Sequence, residues 1–492
     1  MSSDTKIKES ILYSIWFNKE FTAPLISPDG EEIEILDSGS RNNDSGGPDF
    51  KNARIRIGNL TYVGDIELDR DFSDWKNHGH NIDTKYNSLI LHAALFNKFN
   101  HLYVYTRNGR KVPSVCLSSF IKPDIISNVS KQKTENLKSR NRLKCMNLNS
   151  CINSIEKEKL LVNYGIQRYN KKCKKIFGRL KEIHYINELK VKEPSIGYEL
   201  PPDFYDRQFK RSELSNKEYW QQLLYELIFE GLGYSKNKTQ MNQLAQLANI
   251  NFLKSLGNGE TSIRKYEIAL LNIAGIMLKE EKKLDEESSQ YLEESKIKWE
   301  KIRANYDNKL MESSQWHFFR LRPQNFPTIR IAAGAIIINE IINNNLIGVI
   351  ARKIKEIHNL SVLVNSLRSL LVIKASGFWK THYVLGQKSN DEIKYFVGIA
   401  RADELVVNVV LPFFSIYFEI FGYKNLSKKI LKIYSLYEQK SDNQILSEVS
   451  ISLDLKNGLN RTVISQGMIE LFRNFCSKNK CLECEIGKVV FN

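Results

Sequence analysis

The chain has 492 residues, 42% of them hydrophobic and 26% charged, with a formal net charge of +16. That length predicts two or three domains with cores of their own, and the composition excludes a disordered chain. Seven cysteines, odd in number and mostly dispersed, argue against a disulfide framework and for a reducing compartment, the cytoplasm. The charge is uneven, with 17 Lys/Arg against 6 Asp/Glu between positions 121 and 190. Such an excess suits a polyanion, with nucleic acid as the first expectation and an anionic membrane surface as the alternative. MSSDTKIKES is too polar to open a signal peptide, and no apolar run approaches the roughly 20 residues of a membrane span.

In chain order, Ile11, Leu12, Ile15 and Trp16 set a helical apolar face that predicts a first helix over 7–17, capped by Ser3 or Asp4. Pro28-Asp29-Gly30 is a turn signal, after which 31–36 alternates as a strand. The Gly-, Ser- and Asn-rich stretch 38–47 reads as a loop. Strands over 53–57 and 60–68 follow, joined at Gly58-Asn59, two residues that tolerate the positive φ of a tight hairpin. Segments 88–96 and 102–105 are β-compatible. From about position 154 the period changes to 3.6, predicting helices over 157–189, 217–229, 241–256, 262–305, 329–342 and most of the remainder to Phe475. The expected architecture is α+β overall. It comprises an α/β domain over 1–120 with a helix and a mixed sheet, a basic connector over 121–153, and a large all-α domain over 154–492.

The hairpin carries the sharpest chemistry. Asp49 lies just before one strand and Glu67 near the end of its partner, about equidistant from the turn, so antiparallel pairing brings them to the same end of the sheet. Hydrolysis of a phosphodiester with Mg²⁺ or Mn²⁺ needs two or three carboxylate oxygens on the ion and a cationic group beside the attacking water. A Pro-Asp turn and an edge-strand charge would place the same residues with no chemical purpose. The order resembles the PD-(D/E)XK nuclease superfamily through Pro48-Asp49 and Glu67-Leu68-Asp69, and the resemblance implies a restriction-endonuclease-like fold, with Glu9 as a helix-borne metal ligand. Asp69 stands where that pattern has Lys. Lys51 and Lys76 are the substitutes to consider, and without one hydrolysis would be impaired.

The following stretch, DWKNHGHNIDTKYNSLILH, gathers His78, His80, Asp83, Tyr86 and His92, although the whole chain has eight His. Imidazoles at 78 and 80 suit metal ligation or acid–base work, and a surface loop with a buried strand histidine is the plain alternative. Almost end to end, the chain resembles a bacterial family catalogued as domain of unknown function 2851, known mainly from Bacteroidetes. GGPDFKNARIRIGNLTYVGDIEL, SDWKNHGHNIDTKYNSLILH, RLRPQNFPTIRIA, FWKTHYVLG, VVNVVLPFF and CSKNKCLECEIG carry the likeness. It implies His at the position of Asp69, and it matches this chain at Pro48, Asp49, Glu67, His78, His80 and Asp83.

Two further features remain. RLRPQNFPTIR sets Arg320, Arg322 and Arg330 around two prolines, an arrangement suited either to phosphate or to tying helices together. Cys476, Cys481 and Cys484 fall within nine residues, spacing that suits a soft metal with Cys145, Cys151 or a His as fourth ligand. This resembles helicase- and CRISPR-associated nucleases that hold an iron–sulfur cluster with one upstream and three C-terminal cysteines, and Zn²⁺ is the alternative. The expected activity is a metal-dependent nuclease on DNA or RNA. The other expectation is a nucleic-acid-binding or scaffolding protein that keeps a degenerate nuclease fold.

Overall fold

The computed structural model describes residues 9–42, 47–98, 101–121, 143–146, 148, 151–188, 200–201, 204–257, 262–277, 284–318, 321–389, 391–438, 444–455 and 461–491. They fall into two compact units, Met1–Arg140 with Ser314–Pro327, and Asn141–Ser313 with Thr328–Asn492. Most of the expected connector lies outside the described residues, as do the capping residues Ser3 and Asp4. Segment 314–327, read from the sequence as part of the helical region, belongs to the first unit.

The first unit opens with α1 (Glu9–Asn18), followed by β1 (Leu25–Ile26), β2 (Glu32–Asp37), β3 (Ser40–Arg41), β4 (Phe50–Ile57) and β5 (Leu60–Asp71). A crossover containing the short helix α2 (Asp74–Asn77) and two 3-10 turns leads to β6 (Leu89–Phe96), β7 (Tyr103–Tyr105) and β8 (Lys111–Cys116). The sheet order is β1-β2-β4-β5-β6-β8-β7, with β3 beside β4. β4 and β5 are the antiparallel hairpin, turning at Gly58 with φ 54°, whereas β5–β6 and β6–β8 pair in parallel. Parallel pairing of β5 with β6 requires a crossover rather than a tight turn, and that crossover carries the histidines.

β5 alternates two chemistries. Ile66 and Leu68 point into a core with Leu12, Ile15 and Trp16 of α1, while Asp65, Glu67, Asp69 and Asp71 occupy the opposite face. A second, smaller core of Trp75, Tyr86, Leu89, Val104 and Val112 completes the unit. The sequence reading missed β8 because Pro113, which cannot donate to a ladder, interrupts an otherwise short strand.

The second unit is mainly helical. Its spine, α3 (Ser154–Glu188), packs against α4 (Thr462–Asn474) at two facing glycines. A Cβ at Gly165 would lie 2.0 Å from the Val463 carbonyl oxygen, and one at Gly467 would lie 1.9 Å from that of Leu161. The continuous helix expected over 241–256 is two helices, Lys238–Leu247 and Ile250–Ser255, because Asn249 caps the second by accepting from the Asn251 and Phe252 N–H groups. The one expected over 262–305 is likewise two, Ser262–Ile273 and Glu286–Arg303. Short strands between Ile373 and Val397 also interrupt the helical pattern.

Much of the basic charge on α3 turns inward. Arg168 donates to Gln466 and Glu470, Lys172 to Asn408 and Gln466, Arg179 to Glu226, and Lys181 to the carbonyls of Tyr205 and Arg207. These side chains hold helices together, so the local charge excess overstates the surface open to a polyanion. Among the described residues no single helix is long and apolar enough to cross a membrane; Pro327–Ile342 and Leu346–Glu356 meet that test only as a pair bent by 71°.

Candidate metal centre

Hairpin register builds the first half of the site. Phe50 pairs with Ile66, so Asp49 sits across from Glu67 at the strand end. The two lock each other in place: the Asp49 N–H donates to Glu67 Oε2 at 3.0 Å, and the Leu68 N–H donates to Asp49 Oδ2 at 3.1 Å. Both carboxylates are buried. Asp69, two residues beyond Glu67 and therefore on the same face, is 1% exposed.

The crossover supplies the second half. α2 ends at His78, and Gly79, with φ 78°, reverses the chain so that His78 and His80 both face Asp69. His78 Nδ1 lies 3.6 Å from Asp69 Oδ1, and His80 Nδ1 lies 3.5 Å from Asp69 Oδ2 and 3.4 Å from Glu67 Oε1. His92 arrives from β6, opposite Glu67 in the parallel register, with Nε2 at 3.2 Å from Asp69 Oδ2 and Nδ1 at 2.7 Å from Ser114 Oγ. One row across the sheet thus runs Asp49, Glu67, His92, Ser114.

An aromatic wall fixes the rings. Tyr86 stacks on His80 at 4.5 Å, and Trp75 meets His80, Tyr86 and His92 edge-on at 5.2 to 5.5 Å. Segment 314–327 closes on the same crossover: a Cβ at Gly79 would meet the Phe326 ring at 3.6 Å, and Lys85 Nζ lies 3.2 Å from His317 Nδ1.

Electrostatics leave these groups ready for a cation. Burial alone would raise the Asp69 carboxyl, but the charge of His80 and the hydrogen bonds of His78, His80 and His92 outweigh it and hold the group well below its ordinary value. Burial lowers His80 from its ordinary value against the opposing pull of Asp69. The depressed Asp69 carboxyl is accordingly anionic near pH 7, the state a metal ligand needs. The Tyr86 hydroxyl is pushed well up by burial and by the carboxylates of Glu67, Asp49, Asp69 and Asp83. Asp83 caps the following turn through Oδ1, accepting from the Lys85 N–H. The ligand atoms of Asp69, His78 and His80 lie within 4.8 Å of one another and could hold a metal ion.

The other candidates are placed differently. The side chain of Glu9 and all of Arg320 lie outside the described residues. Lys76 is exposed on α2 and Lys51 is half-buried on β4; the basic groups gathered on Asp69 are imidazoles. Arg322 is exposed in the first unit, whereas Arg330 is buried in the second, where its guanidinium donates to the Phe396 carbonyl and the Tyr234 hydroxyl. Arg330 is thereby a packing residue rather than a surface contact. Cys145, Cys476, Cys481 and Cys484 lie in the second unit, and none of the seven cysteines forms a disulfide. Sequence reasoning missed Trp75 and Ser114; only the density of aromatics and histidines in DWKNHGHNIDTKY hinted at the wall.

A family model described as a protein of unknown function, DUF2851, matches residues 9–189 and 207–443. No curated protein and no solved structure matches the chain.

Proposed function

The chain belongs to the DUF2851 family, whose description states no activity, and from the chemistry of its buried site we propose a metal-dependent phosphodiesterase, a nuclease acting on DNA or RNA in the cytoplasm. The convergence of three hairpin carboxylates, Asp49, Glu67 and Asp69, with the two crossover imidazoles of His78 and His80 carries this reading. A bound divalent cation would supply positive charge at a phosphate oxygen and lower the pKa of an attacking water. Asp49, Glu67 and Asp69 would hold it through oxygen, and His78 and His80 through nitrogen. Mixed oxygen and imidazole donors favour Mn²⁺ over Mg²⁺, which prefers oxygen alone.

The remaining groups have roles of their own. The reciprocal bonds of Asp49 and Glu67 to each other's strand hold both carboxylates in one orientation. His92, held between Asp69 and Ser114, keeps the Asp69 carboxylate aimed. His78 has 27% of its side chain exposed, so among the three imidazoles it is the one most open to solvent. As a metal ligand it would not also serve as the acid or base, the part that Lys plays in the related nuclease pattern.

A second reading, binding of nucleic acid without cleavage, is favoured by Asp69 standing in that Lys position. Purified protein with Mn²⁺ or Mg²⁺ should cut single- or double-stranded DNA or RNA, and Asp49→Ala should abolish cutting with the circular dichroism spectrum unchanged. Failure to cut any of these substrates with either ion would refute the enzyme reading; retained binding without cleavage would support the second.

A further inference from the structure

Not all of the basic charge on α3 is taken up by packing. Lys171, Lys172 and Lys175 fall within about one turn of that helix, with Arg168 one turn before them. Two acids gather these groups together with a cation from a neighbouring helix. Glu470, on α4, accepts from Arg168 Nη1 at 3.2 Å and from Lys171 Nζ at 2.5 Å. Glu230, near the end of the helix Lys217–Leu232, accepts from Lys175 Nζ at 2.8 Å and from Lys238 Nζ at 2.9 Å. Lys172 Nζ donates to Asn408 Oδ1 at 2.5 Å and shares Gln466 Oε1 with Arg168, at 3.0 and 2.8 Å.

The two signs of charge sit at different depths. The side chains of Lys171, Lys175 and Lys238 are 63%, 67% and 55% exposed, against 5% for Glu470 and 14% for Glu230. Burial would raise both carboxyls, but the cations bound to them hold each below its ordinary value, so each stays ionised and offsets one of its two cations. Arg473, exposed one turn beyond Glu470 on α4, adds a further charge. Lys172 feels the crowding: burial first, then the charges of Arg168 and Lys238, hold it well below its ordinary value against the pull of Glu470. One turn further along α3 the excess ends, because Glu226 and Glu182 take up Arg179. The inner acids thus fix cations whose ends lie in water, an arrangement that suits a row of phosphates.

What accompanies the charge selects the partner. Among the described residues of these helices, Ile155 is the one large apolar side chain that is exposed, and it lies at the far end of α3. Binding to an anionic membrane draws on apolar side chains set among the cations, and binding to a single strand draws on exposed aromatic ones for its bases. We propose that Lys171, Lys172, Lys175, Lys238 and Arg473 form a surface of the second unit that binds the phosphate backbone of duplex nucleic acid without regard to sequence. Binding here releases counterions, needs no metal and breaks no bond. It goes beyond the nuclease reading and stands or falls apart from it.

The test follows fluorescence anisotropy of labelled DNA and RNA duplexes of unrelated sequence with the full chain, in EDTA, from about 50 to 200 mM salt. The Lys171→Gln/Lys238→Gln/Arg473→Gln variant leaves Arg168 on Glu470 and Lys175 on Glu230, so each acid keeps a cation. Its affinity should fall at least about tenfold at low salt, and its log–log salt slope should be shallower by about three, one for each lost phosphate contact. Lys424→Gln/Lys428→Gln/Lys432→Gln makes the same charge change at exposed positions of the helix Lys424–Leu436 and should bind as the wild type does. Should the first variant fail to fold, lysine acetylation of the wild type decides: duplex should shield Lys171, Lys175 and Lys238 and leave Lys424 reactive. No binding of either duplex, wild-type affinity in the folded first variant, an equal loss in the second, unshielded lysines, or binding to phosphatidylserine vesicles in place of the duplexes would overturn the proposal.

Discussion

Replacing Asp69 with Lys rebuilds the third position of the (D/E)-X-K pattern, and two accounts of the site disagree on the result. If Asp69 were a lost catalytic lysine, Asp69→Lys would raise cleavage. The geometry argues the reverse. Asp69 is 1% exposed, and its carboxylate faces imidazole nitrogens of His92, His80 and His78 at 3.2, 3.5 and 3.6 Å. An ammonium there removes the anion those rings share and adds a cation beside them. Removing one partner of a buried ionic group costs about 3–5 kcal/mol. Because Trp75 touches both His80 and His92, urea unfolding followed by tryptophan fluorescence should report a lower midpoint for the first unit. Titration calorimetry should show Mn²⁺ affinity falling at least about a hundredfold, or roughly 2.7 kcal/mol. A variant as stable as the wild type that binds Mn²⁺ and cleaves faster would refute the reasoning.

Other outcomes follow from the same geometry. Mn²⁺ affinity should be level near pH 7 and fall only at a pH below the ordinary imidazole range, because His80 must be neutral to bind and burial lowers its folded-state pKa. Since burial lowers its folded-state pKa, its contribution to stability is present above the unfolded value and lost as pH falls; His80→Gln should flatten both profiles, read by calorimetry and urea titration across pH 5.5–8. The depressed Asp69 carboxyl stays charged throughout that window, so a midpoint near its ordinary value of 3.8 would contradict the assignment. Gly467→Ala should destabilise the second unit by about 3 kcal/mol or more through overpacking, seen as a lower unfolding midpoint, because its new methyl would press on the Leu161 carbonyl. An unchanged midpoint would mean α3 and α4 do not cross there.

The hairpin was legible because it is local. Gly58-Asn59 sets the turn, the turn sets the register, and alternation along β5 then places Asp49 and Glu67 together. Asp69 was read as a catalytic candidate standing in a lysine's place and not as the centre of the site, since the expected strand stopped at 68 and its true end is Asp71. What makes Asp69 the centre is the return of His78, His80 and His92 by way of a crossover and a parallel pairing, and neither leaves a periodic trace in the sequence. The joining of segment 314–327 to the first unit is equally non-local, as is the burial of Arg330. Helix breaks at Asn249 and near Gly275, where φ is 65°, are local and were lost beneath strong apolar periodicity.

The central claim is that Asp49, Glu67 and Asp69 share one divalent cation with His78 and His80. Anomalous diffraction from crystals soaked in Mn²⁺ tests it directly. The account predicts a single manganese peak within bonding distance of the Asp49, Glu67 and Asp69 carboxylates and of the His78 and His80 imidazoles, absent in Asp69→Asn. A peak elsewhere, or none at a concentration that saturates binding in solution, would contradict it.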